Sequence, residues 1–115
     1  MYNKILVPMA LDHGVSEQTL KIAQGLASEG AEVIALHVYE APQRSVAAYL
    51  DAEAVKDSMA LAKSNLEAKT AHLPGVRAEL VQGHSARTII DYAADHDVDC
   101  IVMGSHKPGF SDYFL

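Results

Sequence analysis

Val98-Asp99-Cys100-Ile101-Val102-Met103-Gly104-Ser105-His106-Lys107-Pro108-Gly109 is the stretch that decides the fold of this chain. A short apolar run stops at a glycine and passes into a small, polar loop that holds a proline and a second glycine. An apolar run without polar alternation suits a strand covered on both faces, as the central strands of a parallel sheet are. Ligands of open α/β sheets bind just outside the carboxyl ends of such strands, which is where Gly104 and the loop stand.

Outward from that strand, the rest of the chain alternates strands with helices. Gly83-His84-Ser85 opens a helix, with Ser85 as its N-cap and Ile89, Ile90 and Ala93 turned inward. Residues 76–82 place Val76, Ala78 and Leu80 on one face and Arg77, Glu79 and Val81 on the other, the half-wet pattern of an edge strand. Before Pro74-Gly75, a long helix over roughly residues 46–72 carries the stripe Val55, Met59, Ala62, Leu66 and Leu73. Residues 33–39 form a strand that is apolar on both faces apart from His37. A first helix begins near Ser16, buries Leu20, Ala23, Leu26 and Ala27, and ends where Gly30 supplies a left-handed residue. Residues 5–9 are the first strand, with Pro8 near its end, where a missing ladder bond is tolerated.

The order β-α-β-α-β-α-β predicts an α/β domain with an open parallel sheet and helices on both faces. Right-handed crossovers and the edge character of the third strand favour the spatial order 3-2-1-4. The winding reverses between strands one and four, and Pro8, Met9, Ala10, Gly104 and Ser105 line the crevice there.

Size and composition narrow the function. A chain of 115 residues, half of them apolar, makes one domain over residues 1–115. No apolar run approaches the roughly 20 residues of a membrane crossing, and the first residues lack the pattern of a signal peptide. The single cysteine, Cys100, can form no internal disulfide and reads as a buried, inert thiol in a reducing cytoplasm. A net charge of −6, with nine scattered Lys and Arg, argues against nucleic acid and anionic membranes. An acidic body can still hold a nucleotide through backbone N–H groups and one or two cations.

Motifs of catalysis are missing. Neither a P-loop, a dinucleotide fingerprint nor a G-x-S-x-G elbow occurs. His13, His37, His84 and His106 fall at or after strand ends, yet no Cys or Glu completes a ligand set, so they read as polar rim residues rather than a metal site. Gly104 either turns the chain or, with Ser105 and Gly109, lets backbone N–H groups approach a phosphate.

Together these pieces resemble the universal stress protein family over essentially the whole chain. Lys4-Ile5-Leu6-Val7-Pro8, Leu36-His37-Val38, Gly83 and Asp99-Cys100-Ile101-Val102-Met103-Gly104-Ser105-His106 carry the resemblance. The last is similar to the family's D-x-I-V-M-G-S-H segment and is its most specific element. The resemblance implies a cytoplasmic, homodimeric stress-response regulator of Rossmann-like (adenine-nucleotide-hydrolase-like) fold, not an enzyme. It implies that ATP or another adenine nucleotide, with or without Mg2+, binds at the crevice. Pro8, Met9, Ala10 and Val38 would then contact adenine and ribose, and Asp12 would reach the ribose or a metal. Met103, Gly104, His106, Lys107 and Gly109 would approach ribose and phosphates, with Lys107 neutralising charge.

The chain departs from the family at three places. Lys107 stands at the second glycine of the G-x2-G-x9-G-[ST] pattern, although a subgroup with a basic residue followed by proline there still holds nucleotide. Ala10 stands where a carboxylate is common. The sequence stops at Leu115, where the family continues into Gly-Ser, a helix and a fifth strand. The expectation is a fragment or a shortened member, with the fourth strand as an apolar edge. Two other readings follow: a nucleotide-independent dimeric interaction module with a degenerate crevice, and slow ATP hydrolysis that depends on Lys107.

Overall fold

The computed structural model describes residues 2–9, 16–40 and 52–104. Strands β1 (Tyr2–Pro8), β2 (Ala27–Tyr39), β3 (Val76–Gln82) and β4 (Cys100–Ile101) form one sheet in the order β3-β2-β1-β4. All three pairings are parallel. Between the strands run helices α1 (Ser16–Leu26), α2 (Ala52–Thr70) and α3 (Ser85–Asp95). The expected topology therefore holds, with the first and fourth strands side by side and pointing the same way.

Burial on both faces explains the unbroken apolar runs of β1 and β2. Strand β4 lies at an edge of the described sheet with Ile101 exposed, so the two-sided cover expected of it is corrected. Ile5, Val7, Met9, Val33 and Ala35 pack against Leu20 and Ala23 of α1 and Leu66 of α2. The alternate residues Leu6, Ile34 and Leu36 pack against Tyr92, with Ile89 and Ala93 of α3 beside them. Two successive right-handed crossovers in one direction put α1 and α2 on the same face, and the reversed step puts α3 on the other. Each fully buried Leu or Ile contributes roughly 1.5–3 kcal/mol over its exposed state.

Four local expectations are corrected. Helix α1 ends at Leu26, and Gly30 lies within β2 with φ of 77°. Tyr2 pairs with Ala27 and Lys4 with Glu32, so residues 28–31 stand against Asn3 alone. The left-handed residue that suits a helix end suits this bulge equally, and sheet pairing by Tyr2 takes the chain first. Ser85 is not the N-cap of α3; His84 is, and it makes no side-chain capping bond. Ile90 is 61% exposed rather than inward, because one residue along a helix turns about 100° away from Ile89. Cys100 is half-buried, and burial followed by the neighbouring Asp99 charge raises its pKa, which keeps it a thiol.

Helix α2 begins within the range expected, with residues 46–51 outside the described ones. Leu66 is its fully buried stripe residue, and Val55, Met59 and Ala62 are half-buried.

Strand β4 is short, and its amino end is held by a side chain. The Asp99 carboxylate accepts from the backbone N–H of Asn3 (2.9 Å) and of Lys4 (3.0 Å). The Asp99 N–H donates to the Lys4 carbonyl at 3.0 Å, and Val102 N–H to the Leu6 carbonyl at 2.9 Å. These bonds extend the pairing by one residue at each end of β4. Lys4 Nζ adds a bond to the His96 carbonyl at 2.8 Å. The two backbone N–H groups hold the Asp99 carboxyl below its ordinary range.

Candidate functional site at the carboxyl ends of the strands

The strands β1, β2 and β4 finish together on one end of the sheet. At the end of β1, Met9 N–H donates to the Leu36 carbonyl at 2.8 Å. The Met9 carbonyl lies 2.9 Å from His37 Nδ1. A carbonyl only accepts, so Nδ1 carries the proton and, in the neutral ring, Nε2 is left as an acceptor. The Met9 side chain is buried among the α1 and α2 contacts. The expected Met9 contact is thereby limited to its backbone, because Met9 shares the strand face of Ile5 and Val7.

Strand β4 delivers Met103, 53% exposed, and Gly104. A Cβ at Gly104 would collide with the Thr19 hydroxyl of α1. A side chain at position 104 would therefore require the Thr19 hydroxyl to move, a packing reason for glycine that is independent of any ligand.

Beyond β2 lies an open cleft of about 740 Å³, within the roughly 300–1,000 Å³ typical of small-molecule sites. His37, Val38, Tyr39 and Glu40 form one wall, and Ser85 closes one side. Ser58, Leu61, Ala62 and Asn65 of α2 form another wall, at the i, i+3, i+4, i+7 spacing of a single helix face. Val38 also packs against the α3-side cluster.

Glu40 organises the corner of this cleft. Its Oε1 accepts from Ser85 Oγ at 2.6 Å and from the Ser85 backbone N–H at 3.2 Å. The hydroxyl bond, then the backbone bond, lower the Glu40 pKa, with His84 adding a smaller electrostatic contribution. A carboxylate from the end of β2 thus occupies the α3 N-terminus, where orphan N–H groups and the helix dipole favour an anion.

Of the residues expected in the site, Pro8, the Met9 backbone, Val38, Met103 and Gly104 stand at this same end of the sheet. Ala10, Asp12, His106, Lys107 and Gly109 lie outside the described residues. Glu40, Ser58, Leu61 and Asn65 were not anticipated. The helical spacing on α2 and the first residue past β2 were the available signals. Among the described residues there is no group of three His, Cys, Asp or Glu side chains that could hold a metal ion. None of their helices is long and apolar enough to cross a membrane.

The profile of the universal stress protein family matches residues 1–115. Among solved structures, the hypothetical protein MJ0577, subject of a structure-based assignment of biochemical function, is 29% identical with a TM-score of 0.76. That match covers 100% of this chain and 83% of MJ0577. The universal stress protein UspA from Lactobacillus plantarum is 25% identical with a TM-score of 0.58, covering 95% of this chain and 83% of that one. A universal stress protein in complex with cAMP has the same fold at 20% identity and a TM-score of 0.54, covering 88% of this chain and 75% of that one. No curated protein matches the chain.

Proposed function

Since the chain belongs to the universal stress protein family, we propose that it binds an adenine nucleotide, ATP first, where its strands end. The observation that carries this reading is the parallel contact of β1 with both β2 and β4. It sets the cleft beside Val38 and Gly104 on the same rim, two strand spacings or about 10 Å apart. Adenine and ribose occupy the cleft against Val38, and the phosphates run across the β1 end towards Gly104, Lys107 and Gly109. Lys107 neutralises phosphate charge, and Mg2+ accompanies the phosphates. Pro8, the Met9 backbone and Ala10 would contact adenine and ribose, and Asp12 would reach the ribose or the metal.

The output is a change of shape or partner rather than a product, in a cytoplasmic homodimer whose occupancy by nucleotide reports stress. A thermal-shift titration with Mg-ATP tests the reading. Ligand at about 100 times Kd adds roughly 2.7 kcal/mol of apparent stability. No shift at millimolar Mg-ATP rejects nucleotide binding by this chain.

A second reading, an interaction module that works without nucleotide, is favoured by the exposed Ile101 of β4 and Met103 just past it. Under that reading, self-association measured by sedimentation is present and does not change when Mg-ATP is added.

A further inference from the structure

Glu40 is the one charged residue among the described residues that line the cleft. None of those described residues is a lysine or arginine, so together they repel phosphate and suit an uncharged portion of a ligand. Val38, Leu61 and Ala62 supply apolar surface for a flat ring. An ionised carboxylate accepts hydrogen bonds and donates none, so its counterpart on the ligand must be a donor.

The carboxylate is also oriented in advance. Both Ser85 bonds converge on Oε1, and Oε2 has no hydrogen-bond partner among the described residues. Ser85 fixes the group at the cost of one oxygen and leaves the other with its accepting capacity intact. A carboxylate just past the second strand of a nucleotide-binding sheet is well placed for a sugar hydroxyl.

Resting on the nucleotide reading above, we infer that Glu40 determines specificity for ribonucleotides, its Oε2 accepting a hydrogen bond from a ribose hydroxyl. The sugar is recognised through a carboxylate locked to the start of α3, so occupancy of the cleft also bears on how α3 is seated. A deoxy-sugar leaves Oε2 without its donor. Glu40 is exposed, so water replaces part of the lost bond, and a deoxy-sugar weakens binding by up to about tenfold.

The test is calorimetric affinity for ATP, 2′-deoxyATP and 3′-deoxyATP, with the native protein and with Glu40→Ala and Glu40→Gln. The native protein is expected to prefer ATP over at least one deoxy-nucleotide by up to about tenfold. Glu40→Ala brings that ratio close to one, whereas a purely structural role at α3 weakens all three nucleotides alike and leaves the ratio in place. Glu40→Gln keeps an acceptor oxygen and falls between the two. Equal binding of the three nucleotides by the native protein overturns the inference and leaves nucleotide binding standing. A ratio that survives in Glu40→Ala overturns it as well. Failure of every nucleotide to bind the native protein overturns both readings. Inosine triphosphate serves as a further arm: loss of affinity for it that vanishes in Glu40→Ala assigns the carboxylate to the adenine amine and overturns the ribose contact.

Discussion

The two ends of the sheet treat their polar groups in opposite ways. At the amino end, the protein satisfies them itself. Asp99 takes two backbone N–H groups from β1, and Lys4 Nζ reaches the His96 carbonyl. Arg77 meets Glu32 at 3.0 Å, and Gln24 Nε2 donates to the Pro74 carbonyl at 2.9 Å. At the carboxyl end, two side chains among the described residues make internal bonds and each keeps an acceptor over. His37 spends one ring nitrogen on Met9, and Glu40 spends one oxygen on Ser85. Among the described residues, side chains close one end, and the other keeps the acceptors that the proposed nucleotide would meet. A single motif serves both, since Asp99 locks the amino end of β4 and Gly104 stands just past its carboxyl end.

Three substitutions probe this division, in falling order of effect. The largest belongs to the layer that both ends share. Leu36→Ala, at a side chain wholly buried on the α3 face, costs about 2–5 kcal/mol in urea unfolding. It impairs the locked and the open end together.

Asp99→Asn comes next and separates them. The folded carboxyl has a lowered pKa, so its stabilisation is present above the unfolded value of about 3.9 and is lost as pH falls through the folded value. The native protein therefore exceeds the variant in urea midpoint at neutral pH, and the gap narrows below about pH 4. Nucleotide affinity stays unchanged, because the group lies at the far end of the sheet. A large loss of affinity in Asp99→Asn breaks the comparison.

The smallest effect is at Asp97, which follows α3 with φ of 56°. The chain there folds back through a bond from Val98 N–H to the Ala93 carbonyl at 3.0 Å. Asp97→Gly relieves the left-handed conformation and raises stability by about 0.5 kcal/mol. A thermal melt reads the gain, and again no change in ligand affinity is expected.

The fold was legible because two-sided burial leaves a direct mark on composition. Apolar runs such as Ile5-Leu6-Val7 and Val33-Ile34-Ala35-Leu36 have no other ready use, and the alternating β3 fixed its place at an edge. Features shared by two structures misled. Gly30 suits both a helix end and a bulge, and only the partner strand decides between them. The side of Met9 was readable in principle from strand parity, since it follows Ile5 and Val7 at intervals of two.

The site was less legible for a different reason. Pro8, Val38, Met103 and Gly104 come together because the topology was right, and each sits at a strand end visible in sequence. The Glu40–Ser85 pair spans 45 positions, and nothing local announces that a carboxylate will cap a helix so far along the chain. Ser85 looked like a self-sufficient cap, whereas its hydroxyl and N–H are both directed to Glu40.

Amide chemical-shift mapping by NMR, with Mg-ATP titrated into the native protein, tests the central claim most directly. The account predicts saturable shifts at Met9, at residues 37–40 and at residues 103–104, with Asn3, Lys4 and residues 96–99 unmoved. Shifts concentrated at the amino end, or spread evenly over both ends, would contradict it.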